Sequence, residues 1–481
     1  MFEDRTAESD ADFPSSWKQE LSVAEQEIQT DECKVQDQES QSTEFASIEV
    51  QTITVEETAS PDTLDMDALA EFVNKAALLI EEELDLIATS RAFDTIMSYG
   101  DEDEEENDVT LVNTIEVVDG LSISDIDWNN TGGNLVVGLS GGEHVEWCTH
   151  LPDLNIYRVD RSGTIVGGKP QQRFNLPSCI SQVAAHPSDP QLLAAGTVTG
   201  EILLFKMDRG ENELSIGQVE SHAPVVSLLW MSRVNLLACH SNGILRLWIL
   251  DTKKYTLSLT KTFKVSSKHM PKQFKSLRSG EVGVRHASFS QDEPDRAIIG
   301  TESGAVVLAD IESELILTDG GDEELYDPVA LVYPLHTAPI NCIAVSPIDG
   351  SIFATTAQDG ILNIISMVQP TMPVISYQMD TPPNYCDWSS IKPGVIGVAS
   401  TGAVYIFDVL QNKSAAIHKI NVSARNLHLP LTVLKFSKND GLRLSAGDKF
   451  GRIYVWRLPP ILSTSNIHEN AQFQSMVFNV E

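Results

Sequence analysis

Long apolar runs are missing from this chain of 481 residues. No stretch approaches the ~18 consecutive apolar residues that a membrane-spanning helix needs, so we expect no membrane anchor. The first segment, MFEDRTAESD, is acidic and polar and is unlike a secretory signal peptide. Cysteine is also scarce. The six cysteines are widely spaced and form no Cys-x-x-Cys pair, which argues against a zinc site and favours a reducing compartment.

Basic residues are scarce above all in the first quarter of the chain. Residues 1–120 contain 34 acidic and 5 basic residues, whereas the remaining 361 contain 35 and 28. Because the net charge of −36 repels phosphates, we expect neither nucleic acid nor an anionic membrane as a partner. The acidic region has few large apolar residues and is predicted to be largely disordered, while the rest is rich in Val, Ile and Leu and is predicted to fold.

The second region repeats one short pattern, which is Gly, any residue, an apolar residue, any residue and two apolar residues. The six copies are GEILLF, GILRLW, GAVVLA, GILNII, GAVYIF and GRIYVW, beginning at Gly200, Gly243, Gly304, Gly360, Gly402 and Gly451. Each copy follows a short apolar run and a turn, which predicts a β-hairpin whose turn needs glycine. A weaker seventh copy, LNIYRVD at 154–160, has Pro152 in place of the glycine.

Another strand-like run precedes each hairpin, as in ISDIDW, ISQVAA and VVSLLW. An outer strand such as TLSLTKTF, residues 256–263, would give each unit four strands. One such unit leaves its apolar faces exposed, whereas seven units packed around an axis bury them. The sequence therefore predicts an all-β fold, a seven-bladed β-propeller, with an open all-β array as the alternative. His-containing turns and aromatic strand ends, such as Trp248 and Trp456, resemble WD-repeat blades, although the Trp-Asp pair itself is missing.

Two features suggest cofactor or metal chemistry, and neither is favoured. GTIVGGK, residues 163–169, has the spacing of a phosphate-binding loop, but Pro170 stands where Ser or Thr and a helix are needed, so we interpret it as a connector. His222, His336 and His428 stand at blade turns and are interpreted as residues that hold those turns. No ordered Ser, His and Asp set indicates a nucleophilic enzyme. We therefore expect no catalytic activity, no metal site and no cofactor.

The acidic region uses one short segment twice, as EIQTDE at 27–32 and IEVQTI at 48–53. In each copy a β-branched residue, Ile28 or Val50, precedes Gln-Thr, which gives a short β-prone core. An extended peptide of this kind can add a strand to the sheet edge of a partner. Two copies on one tether can engage a dimeric partner, because the second binding event becomes effectively intramolecular.

An amphipathic helix is predicted after these peptides, in residues 60–93. Ser60 can cap it and Pro61 suits its first position. It either docks on the propeller or binds a partner in a groove, and the acidic spacer DEDEEEND at 101–108 favours the partner. Its apolar stripe consists of Leu69, Phe72, Val73, Ala76, Ile80, Leu84 and Ile87.

These parts divide the chain into four predicted segments. They are a disordered tail at 1–59, the amphipathic helix at 60–97, an acidic linker at 98–110 and the propeller at 111–481. Within the propeller, residues 252–280 contain eight Lys and Arg residues and no Asp or Glu. This basic segment is either a solvated insertion or an electrostatic contact for an acidic partner or for the acidic region of the same chain. Its candidate contact residues are Lys261, Lys264, Lys268, Lys272, Lys275 and Arg278.

The order of two Gln-Thr peptides, an amphipathic helix, an acidic linker and a degenerate propeller resembles that of the dynein intermediate chains. Blade segments such as WNNTGGNLVVGLSGG look most like the branch of that family found in the second cytoplasmic dynein, which drives retrograde intraflagellar transport in cilia. The resemblance implies a non-catalytic motor subunit of the cytoplasm, cytoskeleton and cilium. It also implies a propeller that binds the dynein heavy chain and a tail that gathers light chains and pairs with a second intermediate chain.

The same resemblance implies roles for the tail residues. Ile28, Gln29, Thr30 and Asp31, and likewise Val50, Gln51 and Thr52, resemble sites for the small dimeric light chain. The helix resembles the site for the roadblock-type light chain. Since the strict Thr-Gln-Thr form is missing, one copy could instead serve a Tctex-type light chain. Two other readings stay open, namely a substrate adaptor of a ubiquitin ligase and an axonemal dynein intermediate chain.

Overall fold

The computed structural model describes part of a helix between residues 70 and 80 and most of the chain from 108 to 476. The two parts fall in separate compact units, Met1–Ser98 and Tyr99–Glu481. In the helix the described positions are 70, 72–77 and 80. Within 108–476, the residues not described are 118–119, 143–147, 149, 151, 161, 177, 208–214, 218–222, 275–280, 318–323, 369–371 and 423–428.

The second unit is a ring of seven antiparallel blades, so the predicted seven-bladed β-propeller is confirmed. Its first strand is β1 (Thr110–Glu116). Blades 1 to 3 contain β2 (Leu121–Trp128), β3 (Asn134–Gly141), β4 (Asp153–Arg158), β5 (Gln172–Asn175), β6 (Ile180–Ala185), β7 (Leu192–Thr197), β8 (Ile202–Lys206), β9 (Ser215–Gly217), β10 (Val225–Trp230), β11 (Asn235–His240), β12 (Ile244–Asp251) and β13 (Thr256–Lys264).

Blades 4 to 7 follow the same order from the inner to the outer strand. Their strands, with one inserted pair, are β14 (Val284–Phe289), β15 (Arg296–Thr301), β16 (Ala305–Asp310), β17 (Ile316–Leu317), β18 (Leu325–Tyr326), β19 (Val329–Pro334), β20 (Ile340–Val345), β21 (Ile352–Ala357), β22 (Ile361–Ser366), β23 (Ile375–Gln378), β24 (Tyr385–Trp388), β25 (Val395–Ala399), β26 (Ala403–Asp408), β27 (His418–Asn421), β28 (Leu431–Phe436), β29 (Arg443–Asp448) and β30 (Arg452–Arg457).

The hairpins form because apolar residues fill both faces of the middle strands and glycine closes the turns. All six residues of β7 are buried, as expected for a strand packed between neighbouring blades. Gly304 has a φ of 91°, and a Cβ there would lie 2.6 Å from the carbonyl oxygen of His336. Only glycine accepts both the left-handed backbone and this close approach. In the seventh copy β4 forms as predicted, but Pro152 ends a long connection rather than a tight turn.

The ring is closed by pairing the first strand with the last blade. Strand β1 lies antiparallel to β30 and forms the outer strand of the sheet that contains β28 and β29. Thr110 is opposite Arg457 and Glu116 is opposite Arg452. The Glu116 carboxylate accepts a hydrogen bond from Arg452 Nε at 2.9 Å. The first and last strands of the propeller are thus held together by noncovalent strand pairing.

Two features were not predicted from the sequence. The short strands β17 and β18 lie between β16 and β19 in the chain, yet β18 pairs in parallel with β13 and so extends the sheet of blade 3. After β30 the chain forms the helical turn Pro460–Ser463 and the helix Ile467–Ser475. Phe473 of this helix is fully buried with its ring centroid 5.9 Å from that of Trp388. Within the described residues, no helix is long and apolar enough to cross a lipid bilayer.

The segment with phosphate-loop spacing connects two strands of one blade. Val159 bridges to Ile165, residues 166–168 form one 3-10 turn, and β5 begins at Gln172. A phosphate-binding loop leads into the N-terminus of a helix, whereas this segment leads into strand β5. The interpretation of this segment as a connector is confirmed.

Candidate functional site

The inner strands of all seven blades surround a central cavity of about 560 Å³. Its polar lining comes mainly from alternate residues of these strands, because alternate side chains point to the same face. The charged residues that line it include Asp125 and Asp127 of β2, Asp387 of β24, and Lys435 of β28. Asp125 and Asp127 are buried, and Asp387 and Lys435 are half-buried.

The carboxylates of this cluster join one blade to the next. Asp125 Oδ2 accepts a hydrogen bond from Val183 N at 2.9 Å, and Asp127 Oδ2 accepts one from Ala185 N at 2.8 Å. Both acceptors lie on β2 and both donors on β6. Asp387 repeats the arrangement between blades 6 and 7, where its Oδ2 accepts from the backbone N–H of the next inner strand at 2.8 Å.

Serine and histidine side chains make the same kind of hydrogen bond from blade 3 to blade 4 and from blade 4 to blade 5. Ser227 Oγ accepts from Ala287 N at 2.9 Å, and Ser288 Oγ accepts from Val345 N at 3.2 Å. His286 Nδ1 accepts a further N–H, that of the β20 residue Ile343, at 3.3 Å. Alternate positions of the inner strands therefore hold the blades together through side-chain-to-backbone hydrogen bonds.

Burial and charge act against each other at the cavity. Burial raises the pKa of Asp125 to about 7 and that of Asp387 to about 6, although Lys435 opposes both shifts. Burial also acts to lower the pKa of Lys435, but Tyr385 and the nearby carboxylates outweigh it and raise that pKa well above its usual range. Lys435 Nζ lies 5.1 Å from the centre of the Tyr385 ring. Since each carboxylate already accepts a backbone hydrogen bond, the cluster is suited to holding the ring rather than to proton transfer.

One predicted turn histidine can be located. His336 is buried, its Nδ1 lies 2.9 Å from Asp359 Oδ2, and its Nε2 lies 2.8 Å from Thr355 Oγ1. It thus ties the β21–β22 turn to the chain that enters the blade, which confirms the interpretation of this histidine. Burial lowers its pKa despite the neighbouring Asp359 carboxylate. His222 and His428 lie outside the described residues.

The structure describes only some residues of the predicted light-chain sites. The peptide residues Ile28 to Asp31 and Val50 to Thr52 lie outside the described residues, as do Leu69, Leu84 and Ile87. The described positions between 70 and 80 are helical. Among them Phe72, Val73 and Ile80 expose 68%, 53% and 57% of their surface, and Ala76 is half-buried. At these positions the helix therefore carries exposed apolar side chains.

The predicted basic segment contains the outer strand that was expected at residues 256–263. Its first half forms β13, and Lys261 Nζ lies 5.6 Å from the centre of the Tyr326 ring of the inserted β18. His269 Nε2 lies 2.7 Å from Asp327 Oδ2 of the same insertion. Lys264 is half-buried, and Lys268 and Lys272 are exposed. Lys275 and Arg278 lie outside the described residues.

The structure also brings together a group that the cysteine spacing did not predict. Ligand atoms of Cys148, His150 and Cys179 all lie within 4.8 Å of one another. They come from segments about thirty residues apart, so no local motif marks them. Cys148 and Cys179 meet although they are widely spaced in the sequence, because the β3–β4 connection reaches the start of β6.

The seven four-stranded blades and the buried histidine network of blade 5 define a WD-repeat β-propeller behind an acidic N-terminal region. No family model matches the chain. It is 27% identical over 476 residues to cytoplasmic dynein 2 intermediate chain 2 of Mus musculus, a match that covers 93% of this chain and 87% of the relative. The human protein of the same name is 26% identical over 423 residues, covering 83% of this chain and 77% of that one.

A more distant relative is the cytoplasmic dynein 1 intermediate chain of Drosophila melanogaster. It is 22% identical over 368 residues, which is 70% of this chain and 51% of the relative. The resemblance to the dynein intermediate chains, and to those of cytoplasmic dynein 2 in particular, is thus confirmed by independent matches. These relatives support the role of a dynein intermediate chain for this protein.

Proposed function

We propose that this chain is the non-catalytic intermediate chain of the dynein that drives retrograde intraflagellar transport and supports cilium assembly. One observation carries the proposal: the match to the mouse protein covers 93% of the chain. It leaves out about 34 of 481 residues, whereas 109 residues precede the first strand of the propeller. The similarity therefore extends well into the acidic region and is not a likeness between propellers alone.

The propeller is proposed as the part that binds the dynein heavy chain. Its ring is closed by β1 and fastened by hydrogen bonds between inner strands, which gives a platform whose surface changes little on binding. The carboxylates of the central cavity serve this fastening, which supports a structural rather than a catalytic role. The exposed Lys268 and Lys272 are candidate contacts for an acidic surface on a partner.

The acidic region is proposed as the light-chain scaffold. Gln29 with Thr30 and Gln51 with Thr52 would each add a strand to one groove of the small dimeric light chain, and a Tctex-type chain is the alternative occupant of one copy. Two such chains bound along the tail, together with a roadblock-type dimer on the helix, would pair this protein with a second intermediate chain. The exposed Phe72, Val73 and Ile80 support the helix site, because apolar side chains on one helix face are suited to a hydrophobic groove.

The decisive experiment is a titration of the full chain with the small dimeric light chain by calorimetry. Changing Gln29 and Thr30 to alanine, and then Gln51 and Thr52, should weaken binding in two steps. A matched control changes Gln41 and Thr43 to alanine, since these have the same residue types and lie between the two copies. Binding that survives both changes, or that falls equally in the control, would refute the peptide sites.

A second experiment separates the motor from the other readings. A chain that lacks residues 1–100 should lose all light chains and retain weakened binding to the heavy chain, measured by copurification from ciliated cells. Light chains that still bind the propeller alone would contradict the proposal. Copurification with ubiquitin-ligase subunits in place of the heavy chain would favour the adaptor, and incorporation into axonemal arms would favour the axonemal intermediate chain.

A further inference from the structure

Blade 1 departs from the other blades at its central turn. The turn between the two middle strands has three or four residues in blades 2 to 7, whereas β3 and β4 are joined by residues 142–152. Cys148 and His150 lie in this long connection. Cys179 directly precedes β6, and its carbonyl accepts a hydrogen bond from Val198 N at 3.0 Å, which fixes it to blade 2. The connection therefore brings side chains of blade 1 to the inner edge of blade 2.

Both sulfurs accept backbone hydrogen bonds in this arrangement. Gly141 N donates to Cys179 Sγ at 3.1 Å, and Cys179 N donates to Cys148 Sγ at 3.2 Å. Backbone N–H groups directed at sulfur stabilise the thiolate form, which is the form that binds metals. Two such bonds on two neighbouring cysteines are a second observation, independent of the mere closeness of the side chains.

The histidine ring is held beside the sulfurs by the backbone of Gly141. A Cβ at Gly141 would lie 2.4 Å from His150 Cγ and from His150 Cδ2, so any larger residue there would displace the ring. Gly141 thus does two things: its N–H contacts one sulfur and its bare Cα leaves space for the imidazole. Cys148 and His150 are half-buried and Cys179 is fully buried, so the group is accessible to solvent at Cys148 and His150.

We propose that Cys148, His150 and Cys179 form a zinc site that clips blade 1 to blade 2. Two thiolates and one imidazole are ligands that Zn²⁺ prefers, and water can complete a tetrahedral shell. Cysteine binds Zn²⁺ as the thiolate, so metal binding displaces thiol protons to solvent and zinc affinity falls as the pH is lowered.

The clip has a clear place in the fold. Residues 142–152 replace the tight turn of the other blades, and a metal bound by Cys148, His150 and Cys179 would tie this connection to the start of β6. Zinc that binds the folded chain and not the unfolded one adds to the free energy of unfolding by about 2.7 kcal/mol when free zinc is 100 times the Kd. This inference concerns the propeller alone and does not depend on the proposed light-chain or heavy-chain partners.

The test measures zinc bound by the full-length protein, first as purified and then after chelation and titration with Zn²⁺ under reducing conditions. One equivalent per chain is expected. Cys148→Ser and Cys179→Ser should each raise the Kd by more than about 100-fold, because loss of a direct ligand exceeds the effect of an outer-shell partner. Cys33→Ser is the control, since it removes one thiol far from the site in sequence and should leave zinc binding unchanged.

Cobalt titration supplies a readout that misfolding does not imitate. Co²⁺ bound by two thiolates gives a thiolate-to-metal charge-transfer band, which should halve in intensity in either cysteine variant and persist in His150→Gln at weaker affinity. Melting curves with and without Zn²⁺ show whether each variant is folded, and only the wild type and the control should be stabilised by zinc. The proposal is overturned if the wild type binds no more zinc than the Cys148→Ser/Cys179→Ser double variant, or if the reduced protein re-forms a Cys148–Cys179 disulfide and takes up no metal.

Discussion

Asp127 on the inner strand of blade 1 accepts a hydrogen bond from the backbone N–H of Ala185 in blade 2, with Oδ2 and N 2.8 Å apart. The same oxygen lies 2.7 Å from Lys438 Nζ, and the other oxygen accepts from Trp128 N at 3.0 Å. One carboxylate thus connects three blades, since Lys438 follows the inner strand of blade 7.

Replacing this carboxylate should weaken the ring. Asp127→Ala is expected to lower the free energy of unfolding by about 2–3 kcal/mol, because it leaves a buried N–H unsatisfied and removes a charged acceptor. Lys438→Ala is the matched comparison and should cost about 1 kcal/mol or less, since the lysine is 46% exposed and its ion pair is screened by water. Denaturant unfolding of both variants measures the difference. Equal losses would show that the ion pair, and not the bond to Ala185, is what matters.

Truncation tests the closing strand. A chain that begins at residue 108 keeps β1, whereas one that begins at residue 118 leaves β30 as an exposed edge. The shorter chain should melt at least about 5 °C lower, because it loses the whole ladder and the packing of Ile115 against the core. It should also associate, since an unpaired β30 offers its edge to other chains. Calorimetry and light scattering on the two chains measure both effects, and identical melting curves would contradict this account of closure.

The free energy of unfolding should depend on pH partly through the titration of Asp125. Its pKa is about 7 in the folded protein and 3.8 as the ordinary value, so the folded state binds more protons than the unfolded state between these pH values. Stability from this group is therefore lost as the pH rises from about 4 to about 7. In Asp125→Asn the group no longer titrates. The variant should gain stability relative to the wild type as the pH rises, by an amount of order 1 kcal/mol or more.

Unfolding of the two proteins at several pH values between 4 and 8 checks this. Comparing the wild type with the variant at each pH cancels contributions from other groups. A difference that is constant over the whole range would show that Asp125 is ionised in the folded protein throughout. Asp387→Asn should behave in the same direction over a narrower range, because its pKa is raised only to about 6.

His240 should act in the opposite direction. It is fully buried, its Nδ1 lies 3.1 Å from the Ala223 carbonyl oxygen, and its Nε2 lies 3.1 Å from an Arg246 nitrogen. Burial lowers its pKa to about 4, so the unfolded chain takes up a proton below about 6.5 and the folded chain does not. Stability from this group is present above 6.5 and is lost as the pH falls towards 4.

His240→Gln removes this titration and keeps a polar side chain. We expect the variant to be less stable than the wild type at pH 7, because the contact with Arg246 is weakened, and the gap should narrow as the pH falls to 4. Titration of the C2 proton of this histidine by NMR measures the pKa directly. A value near 6.5 would contradict the assigned burial and hydrogen bonds.

The blades could be predicted because the residues of each hairpin indicate both its turn and its strands. In GILNII the glycine marks the turn, alternate apolar residues mark the strand, and β22 begins one residue after Gly360. The inner strands could be predicted equally well, and the predicted strand INCIAV matches β20 residue for residue. Such patterns depend on neighbours in the sequence, so a single sequence is sufficient to read them.

The features that escaped prediction depend on distant partners. Strands β17 and β18 have two residues each, too few for a period to show, and they exist because β13 offers an edge. The closeness of Cys148 and Cys179 depends on the path of the β3–β4 connection, which the spacing of residues in the sequence does not indicate. The hydrogen bonds of Asp125 and Asp127 also depend on residues distant in the sequence. The alternation of residues along β2 shows that both side chains face the cavity, but it does not show which backbone N–H each one contacts.

The pairing of β1 with β30 also sets the order in which the protein can be completed during its synthesis. Strand β1 leaves the ribosome before any blade, yet its partner is made some 340 residues later, since Thr110 pairs with Arg457. Six blades can assemble on the growing chain while β1 and the outer edge of the seventh stay open. A nascent chain that stops short of β30 therefore cannot close the ring, and β1 meets its partner only after the last strand of the seventh blade has been made.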